Sequence, residues 1–390
     1  MRVVICGAGI AGLSLAWCLE RRGHEPLVVE YATQLRDRGY MMDFFGSGYD
    51  ASERLGLLPD LSSIHDPVER LVLRDGDGRQ RVSLSYEVLR RRLFGGRHFN
   101  FMRGDLERVL YEKLQCRRSI RFGTTVRSFE QDEETVHVRL SDGTTEVADL
   151  LVGADGVHSH VRRLAFGDDT AFVRPLGFTA AAYVVNAAPG ALGVQHEFVT
   201  LTVPSRQVTL YPIRGDHVAT FFLYADEPGE HPFAGSACDM LHRRYGDFGW
   251  QVPKALQQCM QASSVYLDAV SQVEMPRWSA GRVVLVGDAC QCLSPLAGQG
   301  ASMAITASYV LAEELGNSAG QPRQALSRYE QRLKPAIIAQ QRAARRIARW
   351  FVPASAWRVT IRNAITRVST WPVVSSVIRR RMAAQSVLRA

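Results

Sequence analysis

The sequence lacks a cysteine framework. Its seven cysteines are scattered along 390 residues, no two of them form a C-x-x-C pair, and Cys290 and Cys292 are too close together for the usual zinc patterns. An odd, scattered set without an export signal is typical of a reducing compartment, where most cysteines are small core residues. We therefore expect reduced thiols, a cytoplasmic protein and no metal site.

Lysine is nearly absent, since 3 lysines stand against 44 arginines. Such a bias can reflect the genome, so arginine clusters alone are weak evidence for a nucleic-acid site. The net charge of +8 is also uneven: residues 321–390 carry 14 arginines and one lysine against Glu330 alone, a net of +14, which leaves −6 for residues 1–320. An acidic body with a basic tail favours a partner other than nucleic acid.

Low-complexity segments, repeats and proline-rich linkers are also missing. The chain is long enough for two or three structural units, and its composition of 46% hydrophobic and 22% charged residues is ordinary for a globular protein. Without a linker to separate the units, we expect domains that are interleaved along the chain.

The stretch VVICGAGIAGLSLAWCLE, residues 3–20, has two interpretations. A cation at Arg2 and the uncharged run that follows are typical of a secretion signal. Three glycines interrupt that run, however, no small-residue cleavage site follows it, and it is shorter than the roughly 20 apolar residues that span a bilayer. The second interpretation, a nucleotide site, explains the glycines.

In that interpretation a buried strand leads through the glycine turn G-x-G-x-x-G into a helix, and a second strand ends in Glu30. Gly7 permits the tight turn, Gly9 lets the backbone approach a pyrophosphate, and Gly12 lets helix and strand pack closely. Glu30 can accept both hydroxyls of an adenosine ribose and would repel a 2′-phosphate. The unit therefore favours FAD or NAD over NADP.

Further along, short strands and a D-G-D-G turn are predicted at residues 69–85, an amphipathic helix at 104–114, and one strand after another from about 178 to 224. Runs of this kind predict an antiparallel sheet. An all-apolar strand returns in GRVVLVGDA, residues 281–289, and helices dominate from Gly298 onward.

Two more motifs identify the nucleotide. DLLVGADGVHSHVRR carries Asp155, and GRVVLVGDACQCLSPLAGQGASMAITASYVLAEEL carries Asp288 and two glycines. Together with the first unit, these closely resemble the single-component FAD-dependent aromatic monooxygenases, the p-hydroxybenzoate hydroxylase family, over essentially the whole chain. The stretch GYMMDFFGSGYDASERLGLL looks most like the branch of tetracycline-inactivating monooxygenases and polyketide hydroxylases, which implies a role in secondary metabolism.

The resemblance implies an α/β fold: a Rossmann-like, p-hydroxybenzoate hydroxylase-type FAD-binding domain interleaved with an antiparallel β-sheet substrate domain, plus C-terminal helices. We expect the FAD-binding domain to comprise residues 1–70, 96–175 and 268–320. The substrate domain would then comprise 71–95 and 176–267, and the helical segment 321–390.

By the same resemblance, the FAD contacts are expected at Gly7, Gly9, Ala11, Gly12, Glu30, Arg38, Arg103, Val126, Asp155, Asp288, Pro295, Gly298, Gly300 and Ala301. Arg103 and an arginine in 36–38 would meet the phosphates, and the backbone around Val126 the adenine. Asp155 has an alternative role as a turn residue that holds its loop. Asp288 follows a buried strand, where open α/β sheets bind ligands, and its carboxylate can accept hydrogen bonds from the ribityl hydroxyls.

Family membership would imply FAD as bound cofactor, NAD(P)H as reductant and O₂ as oxidant, with oxygen passed through a flavin C4a-hydroperoxide to an aromatic or polycyclic small molecule. Baeyer–Villiger oxygenation or flavin-dependent reduction on the same scaffold are alternatives, as is a silent FAD-binding protein.

The substrate pocket is expected at Tyr211, Phe222 and Pro295, although aromatic residues at strand spacing are more often core. We identify no catalytic base. The basic tail could lie on an anionic membrane as an amphipathic helix. We favour the alternative, in which its helices pack on the protein and leave their arginines in solvent.

Overall fold

The computed structural model describes residues 1–35, 40–66, 68–227, 235–294, 298–318, 320–371, 375 and 387–388. The strands are β1 (Arg2–Cys6), β2 (Glu25–Glu30), β3 (Met41–Phe45), β4 (Arg70–Arg74), β5 (Gln80–Ser85), β6 (His98–Met102), β7 (Arg121–Phe122), β8 (Val126–Gln131), β9 (Val136–Leu140), β10 (Thr145–Ala148), β11 (Leu150–Gly153), β12 (Val173–Val185), β13 (Glu197–Val203), β14 (Arg206–Ile213), β15 (His217–Ala225), β16 (Tyr266–Val273), β17 (Ser279–Ala280) and β18 (Val283–Leu285). The helices are α1 (Ile10–Glu20), α2 (Ser47–Leu55), α3 (Leu58–Ser63), α4 (Tyr86–Phe94), α5 (Arg103–Lys113), α6 (His160–Phe166), α7 (Ala237–Tyr245), α8 (Val252–Gln257), α9 (Asp288–Gln291), α10 (Gly300–Gly316), α11 (Pro322–Phe351) and α12 (Ala356–Val368).

The first layer is a six-stranded sheet in the order β17-β18-β11-β1-β2-β7. Its central pairs are parallel, with Val4 opposite Leu151 on one side and Leu27 on the other. These strands are nearly continuous apolar runs because both faces of the sheet are buried, by helices and by a three-stranded sheet of β8, β9 and β10 that contacts β1 and β11, as expected for a buried parallel sheet. The carboxyl ends of β1, β2, β11 and β18 therefore share one edge, where the loops to α1 and α9 begin.

The second layer is a seven-stranded sheet in the order β16-β12-β15-β14-β13-β4-β5. Its pairs are antiparallel except one, since β4 runs parallel to β13, with Leu71 opposite Phe198. This exception departs from the purely antiparallel sheet that the sequence predicts. It arises because β4 reaches the sheet from an earlier part of the chain and joins β13 without a hairpin.

One face of this sheet packs against helices α7 and α8, where Tyr183, Phe222 and Tyr245 are buried together. The opposite face looks toward a two-stranded ribbon of β3 and β6, and Tyr211 packs there against Met41 and Met102. The seven-stranded sheet and the ribbon of β3 and β6 therefore face each other. We call the region between them the interlayer space. The domain bounds given above stay a prediction beside this observed layering.

The two C-terminal helices, α11 and α12, differ in the side chains that they bury. Helix α11 buries an apolar stripe that includes Leu326, Tyr329 and Leu333 against the body of the protein. Helix α12 buries Arg362 instead, and no other α12 side chain is buried in the described part of the chain. The expectation that tail helices bury their apolar side and expose their arginines thus fits α11 and fails for α12.

Two of the seven cysteines are joined. Cys238 on α7 and Cys259, just after α8, form a disulfide with their Cα atoms 5.7 Å apart. The prediction that all cysteines are reduced thiols is therefore wrong for this pair. The other five cysteines carry free thiols. No sequence pattern marks this bond, because the partners are 21 positions apart and meet only once α7, α8 and the chain between them have folded.

We predict that the double variant Cys238→Ser/Cys259→Ser loses about 3 kcal/mol of unfolding free energy, because the bond closes a loop of roughly 20 residues in the unfolded chain. Urea unfolding would measure this, with Cys116→Ser as a control at a free thiol. Alkylation of the denatured, unreduced protein should label five cysteines. Seven labels on freshly purified protein would show that the bond does not form.

Candidate functional site

The glycine turn after β1 has the geometry of a backbone cradle. Gly7 has φ +111°, and a Cβ on it would lie 2.5 Å from the Ala154 carbonyl oxygen. A Cβ on Gly12 would lie 1.9 Å from the Gly7 carbonyl oxygen, so α1 can contact the turn only because residue 12 has no side chain. A Cβ on Gly9, by contrast, would meet nothing closer than Arg103 Nη2 and Glu107 Oε1 of α5, each at 3.7 Å. The turn is thus packed tightly against Ala154 and less tightly toward α5.

Glu30 lies at the end of β2, as predicted, and its carboxylate faces the turn. Oε2 accepts a hydrogen bond from the Ala8 N–H at 2.7 Å, and Oε1 accepts one from the Ala32 N–H at 2.9 Å. The carboxylate therefore ties the glycine turn to the loop after β2. Val126 begins β8 and its side chain is fully buried, so that only its backbone is available to a ligand.

Arg103 begins α5 and lies beside the glycine turn. Its Nε donates to Glu107 Oε1 at 3.1 Å, and its backbone N–H donates to the Tyr40 carbonyl. Burial acts to lower the pKa of Arg103, but Glu107, then Tyr40 and Asp288, outweigh it and raise that pKa above its ordinary value. Arg103 is therefore a permanent cation between the turn and Asp288.

Asp288 begins the short helix α9 on the other side of Arg103. It is accessible to water although protein surrounds it, which places it in a crevice. Burial in that crevice raises the pKa of Asp288, and the Arg103 guanidinium opposes the rise. Behind it, Gly287 at φ +64° packs on Ala11, where a Cβ would approach the Ala11 side chain to 2.7 Å. Ala11 therefore serves the close approach of α1 and α9.

The N-terminus of α10 completes this side of the crevice. A Cβ on Gly300 would lie 3.9 Å from Asp288 Oδ1, and a Cβ on Gly298 would lie 4.0 Å from the Asp43 side chain. Because neither glycine has a side chain, room remains between α10 and the carboxylates of Asp288 and Asp43. We call this space the opening. Ala301 follows them in the first turn and is buried.

Asp155 lies next to Gly7, but its oxygens serve a local role. Oδ1 accepts from Ser159 Oγ at 2.5 Å, and Oδ2 accepts from the N–H groups of His160 and Val161. These bonds cap helix α6, which is the alternative role that the sequence left open. A cofactor contact for Asp155 stays a prediction.

Two predicted contacts, Arg38 and Pro295, lie outside the described residues. The two predicted aromatic residues of the substrate pocket lie on opposite faces of the sheet. Tyr211 faces the ribbon, and its hydroxyl accepts a hydrogen bond from the Met41 N–H at 2.9 Å. Phe222 faces away, stacked on Tyr183 and against Tyr245 in the core. The sheet alternation thus argues against a substrate contact for Phe222.

The neighbouring residue, Phe221, faces the interlayer space. Tyr40 contacts it at a ring-centroid distance of 5.7 Å and contacts Tyr266 of β16 at the same distance. All three rings are only partly buried, whereas Thr220 and Phe222, on either side of Phe221 in β15, are fully buried. Burial raises the pKa of Tyr40 to about 12, so its hydroxyl stays protonated near neutral pH. We call Tyr40, Phe221 and Tyr266 the aromatic wall.

A polar network that the sequence did not indicate surrounds Asp43 on the ribbon. Its Oδ1 accepts hydrogen bonds from Tyr86 Oη at 2.8 Å, from His98 Nε2 at 3.0 Å and from Asn100 Nδ2 at 2.7 Å. Oδ2 accepts none from the described residues, and 46% of the side chain is exposed. One oxygen is thus fixed by protein and the other is available.

The network also sets the charge of Asp43. Burial acts to raise its pKa, but His98, Tyr86 and Asn100 together hold the pKa below its ordinary value. Asp43 is therefore an anion at neutral pH. Asp43 and Gly298 lie side by side, so this anion borders the opening at the N-terminus of α10.

The residues described here fit FAD. An elongated dinucleotide needs a backbone cradle for its phosphates, a cation beside them, an acid at each sugar-like end and free space for the ring. Gly9 would provide the cradle, Arg103 the cation, and Glu30 and Asp288 the two acids. Gly298 and Gly300 carry no side chain that would occupy the space for the ring. In the described part of the chain, no group of three potential metal ligands occurs, and no helix is long and apolar enough to cross a membrane.

Comparison with known proteins gives concordant results. A family model described as an FAD binding domain matches residues 1–344. An uncharacterized protein of Mycobacterium tuberculosis is 32% identical over 316 residues, which cover 80% of this chain and 84% of that protein. A flavin-dependent monooxygenase of Legionella longbeachae is 28% identical over 355 residues, which cover 88% and 87%. The crystal structure of tetracycline destructase Tet(51) superposes with a TM-score of 0.84 at 26% identity, covering 100% of this chain and 98% of that chain.

We predict that Glu30→Gln weakens FAD binding about tenfold, or roughly 1.4 kcal/mol, because the amide loses the charge that strengthens its hydrogen bonds. Fluorescence titration of the apoprotein with FAD would measure this. Glu25→Gln, at the exposed start of the same strand, is the matched control. Equal FAD affinity in wild type and Glu30→Gln would remove Glu30 from the site.

Proposed function

This chain belongs to the FAD-binding-domain family of flavin-dependent monooxygenases, and from that premise we propose that it hydroxylates an aromatic or polycyclic small molecule, with NAD(P)H as reductant and O₂ as oxidant. The observation that carries the proposal is the partly buried aromatic wall, whose Tyr40 lies close enough to Arg103 and Asp288 to interact with both charges. A flat, apolar substrate would find ring surface there and a fixed acceptor beside it.

The residues that would hold FAD follow the crevice. Glu30 would accept the ribose hydroxyls, the N–H groups around Gly9 and the Arg103 guanidinium would bind the phosphates, and Asp288 would accept from the ribityl chain. Bound FAD would supply the redox chemistry, with electrons from NAD(P)H and oxygen from O₂. The protein supplies orientation and a site from which water is displaced.

The N-terminus of α10 adds an electrostatic contribution. The helix begins at Gly300 with no acidic residue in its first turn, so its first N–H groups, which have no acceptor within the helix, present a positive dipole end to the opening. Gly298 and Gly300 carry no side chains that would cover these donors. They would stabilise negative charge on a bound ring or on a substrate oxygen.

Substrate selection would depend on the wall and on Asp43. Aromatic rings prefer offset or tilted contacts at centroid distances of about 4.5–7 Å, and the pairs in the wall already show such distances. The available Asp43 oxygen would accept a hydrogen bond from a hydroxyl or N–H group of the substrate. The similarity to a tetracycline destructase favours a polycyclic phenol or enol as the molecule that carries such a group.

We expect that a panel of tetracyclines, polycyclic phenols and simple phenols contains compounds that accelerate NADPH consumption in air at least about tenfold, a barrier change of about 1.4 kcal/mol. Mass spectrometry should then find a product that is heavier by one oxygen, derived from O₂. Insertion of oxygen beside a ketone would indicate Baeyer–Villiger chemistry instead, and a gain of two hydrogens would indicate a reductase. FAD binding with no response to a broad panel would contradict the proposal.

We also predict that Asp43→Asn lowers kcat/KM at least about tenfold for a hydroxylated substrate, because an amide is a weaker acceptor than a carboxylate. An O-methylated analogue should lose little, since it has no hydrogen to donate. Asp77→Asn, at an exposed turn position, is the control. A variant with weaker FAD affinity and unchanged preference between the two substrates would show that Asp43 serves the cofactor and not the substrate.

A further inference from the structure

Helix α12 buries a charged side chain and exposes apolar ones, which is the reverse of an ordinary surface helix. Arg362 is only 5% exposed, while Trp357, at 61%, lies on the solvent side. Ile361 and Ile365 are also exposed, at 45% and 43%. Positions 357, 361 and 365 are spaced by four, so they form one continuous apolar stripe along the helix. We call this the α12 stripe.

Hydrogen bonds hold the Arg362 side chain in its buried position. Arg362 Nη2 donates to Thr202 Oγ1 of β13 at 3.1 Å, and Nη1 donates to the Phe351 carbonyl at 3.2 Å. Burial lowers the pKa of Arg362 to about 10, which still leaves it charged at neutral pH. These bonds fix the rotation of α12, so the outward position of its stripe is a consequence of the fold.

Cations border the α12 stripe on both sides. At about 100° per residue, Arg358 and Arg367 fall on opposite edges of it, and both are exposed. Arg367 also donates to the Arg81 carbonyl of the neighbouring strand β5, and Arg81 is paired with Asp75. From residue 331 to 390 the sequence contains no acidic residue. An apolar stripe edged by arginines is the pattern of helices that lie in a membrane interface.

Exposed tryptophans are concentrated in the same segment. Trp350, Trp357 and Trp371 are each at least 40% exposed, and together they make up half of the six tryptophans of the chain. Trp17 and Trp278, in the body, are buried. Tryptophan is favoured at the level of lipid headgroups because its ring is apolar and its N–H is polar.

The charges decide between the partners that could cover this surface. A second copy of the chain would bring the same cations against each other, which opposes a symmetric contact. A surface of anionic lipid instead gains from every arginine near it, and basic tails are attracted to such surfaces. We propose that the α12 stripe and its flanking arginines dock this protein on an anionic lipid surface, where it stays peripheral.

The test is cosedimentation of the full-length protein with vesicles of phosphatidylcholine containing about 30% phosphatidylglycerol. Vesicles of pure phosphatidylcholine provide the neutral comparison. We expect binding to the anionic vesicles to be at least about tenfold stronger than to the neutral ones, and to weaken as salt is raised, because screening reduces the attraction.

Two variants address the two parts of the surface. Trp357→Ser/Ile361→Ser/Ile365→Ser should lower binding to anionic vesicles at least about tenfold by removing apolar contact area. Arg358→Gln/Arg367→Gln should lower it to a smaller degree and reduce the salt dependence. Met260→Ser removes an exposed apolar side chain in another part of the molecule and should bind like wild type.

Each other outcome contradicts the proposal. Wild-type protein that stays in the supernatant with anionic vesicles, or that binds equally when the α12 stripe is replaced, would overturn it. A concentration-dependent dimer in light scattering that the triple variant abolishes would assign the surface to a second copy. Turnover of small molecules is measured separately, so this result does not depend on the proposed hydroxylation.

Discussion

The crevice depends on one steric constraint, the contact between the backbone of Gly12 and that of Gly7. With any side chain at Gly12, α1 would move off the turn, since its Cβ would lie 1.9 Å from the Gly7 oxygen. The same approach lets Ala11 meet Gly287, which positions α9 and with it Asp288. A single close contact between glycines thus sets the distance between the phosphate cradle and the other end of the site.

The parts of the structure that short-range pattern dictates could be predicted from the sequence. Strand β1, helix α1 and strand β2 follow from glycine spacing and apolar runs, and Glu30 lies where the motif requires an acid. The α/β class with its FAD-binding fold is confirmed by the family match. These features succeed because each is fixed within about 30 residues, where local conformation and periodicity decide the outcome.

Features that depend on distant partners could not be predicted. Choosing between Phe221 and Phe222 requires the register of β15, since one step along a strand reverses the face. The Asp43 network joins β3, β6 and the start of α4. Asp43 lies in the stretch GYMMDFFGSGYDASERLGLL, but nothing in the sequence pairs it with its partners on β6 and α4. Helix α12 has the pattern of an ordinary amphipathic helix, and its reversal is visible only in the structure, where Arg362 is buried and donates a hydrogen bond to Thr202.

Two opposite charges border the opening, the positive end of the α10 dipole and the Asp43 carboxylate, and together they constrain the ligand. The N-terminus of α10 favours negative charge, yet Asp43, an anion, lies next to Gly298 at the same opening. An anionic ligand atom would gain from the helix dipole and be repelled by the carboxylate. A ligand avoids this conflict when its electron-rich oxygen faces α10 and one of its O–H or N–H groups faces Asp43. A molecule with an acceptor and a donor on one edge meets that condition, as an enol beside a carbonyl does.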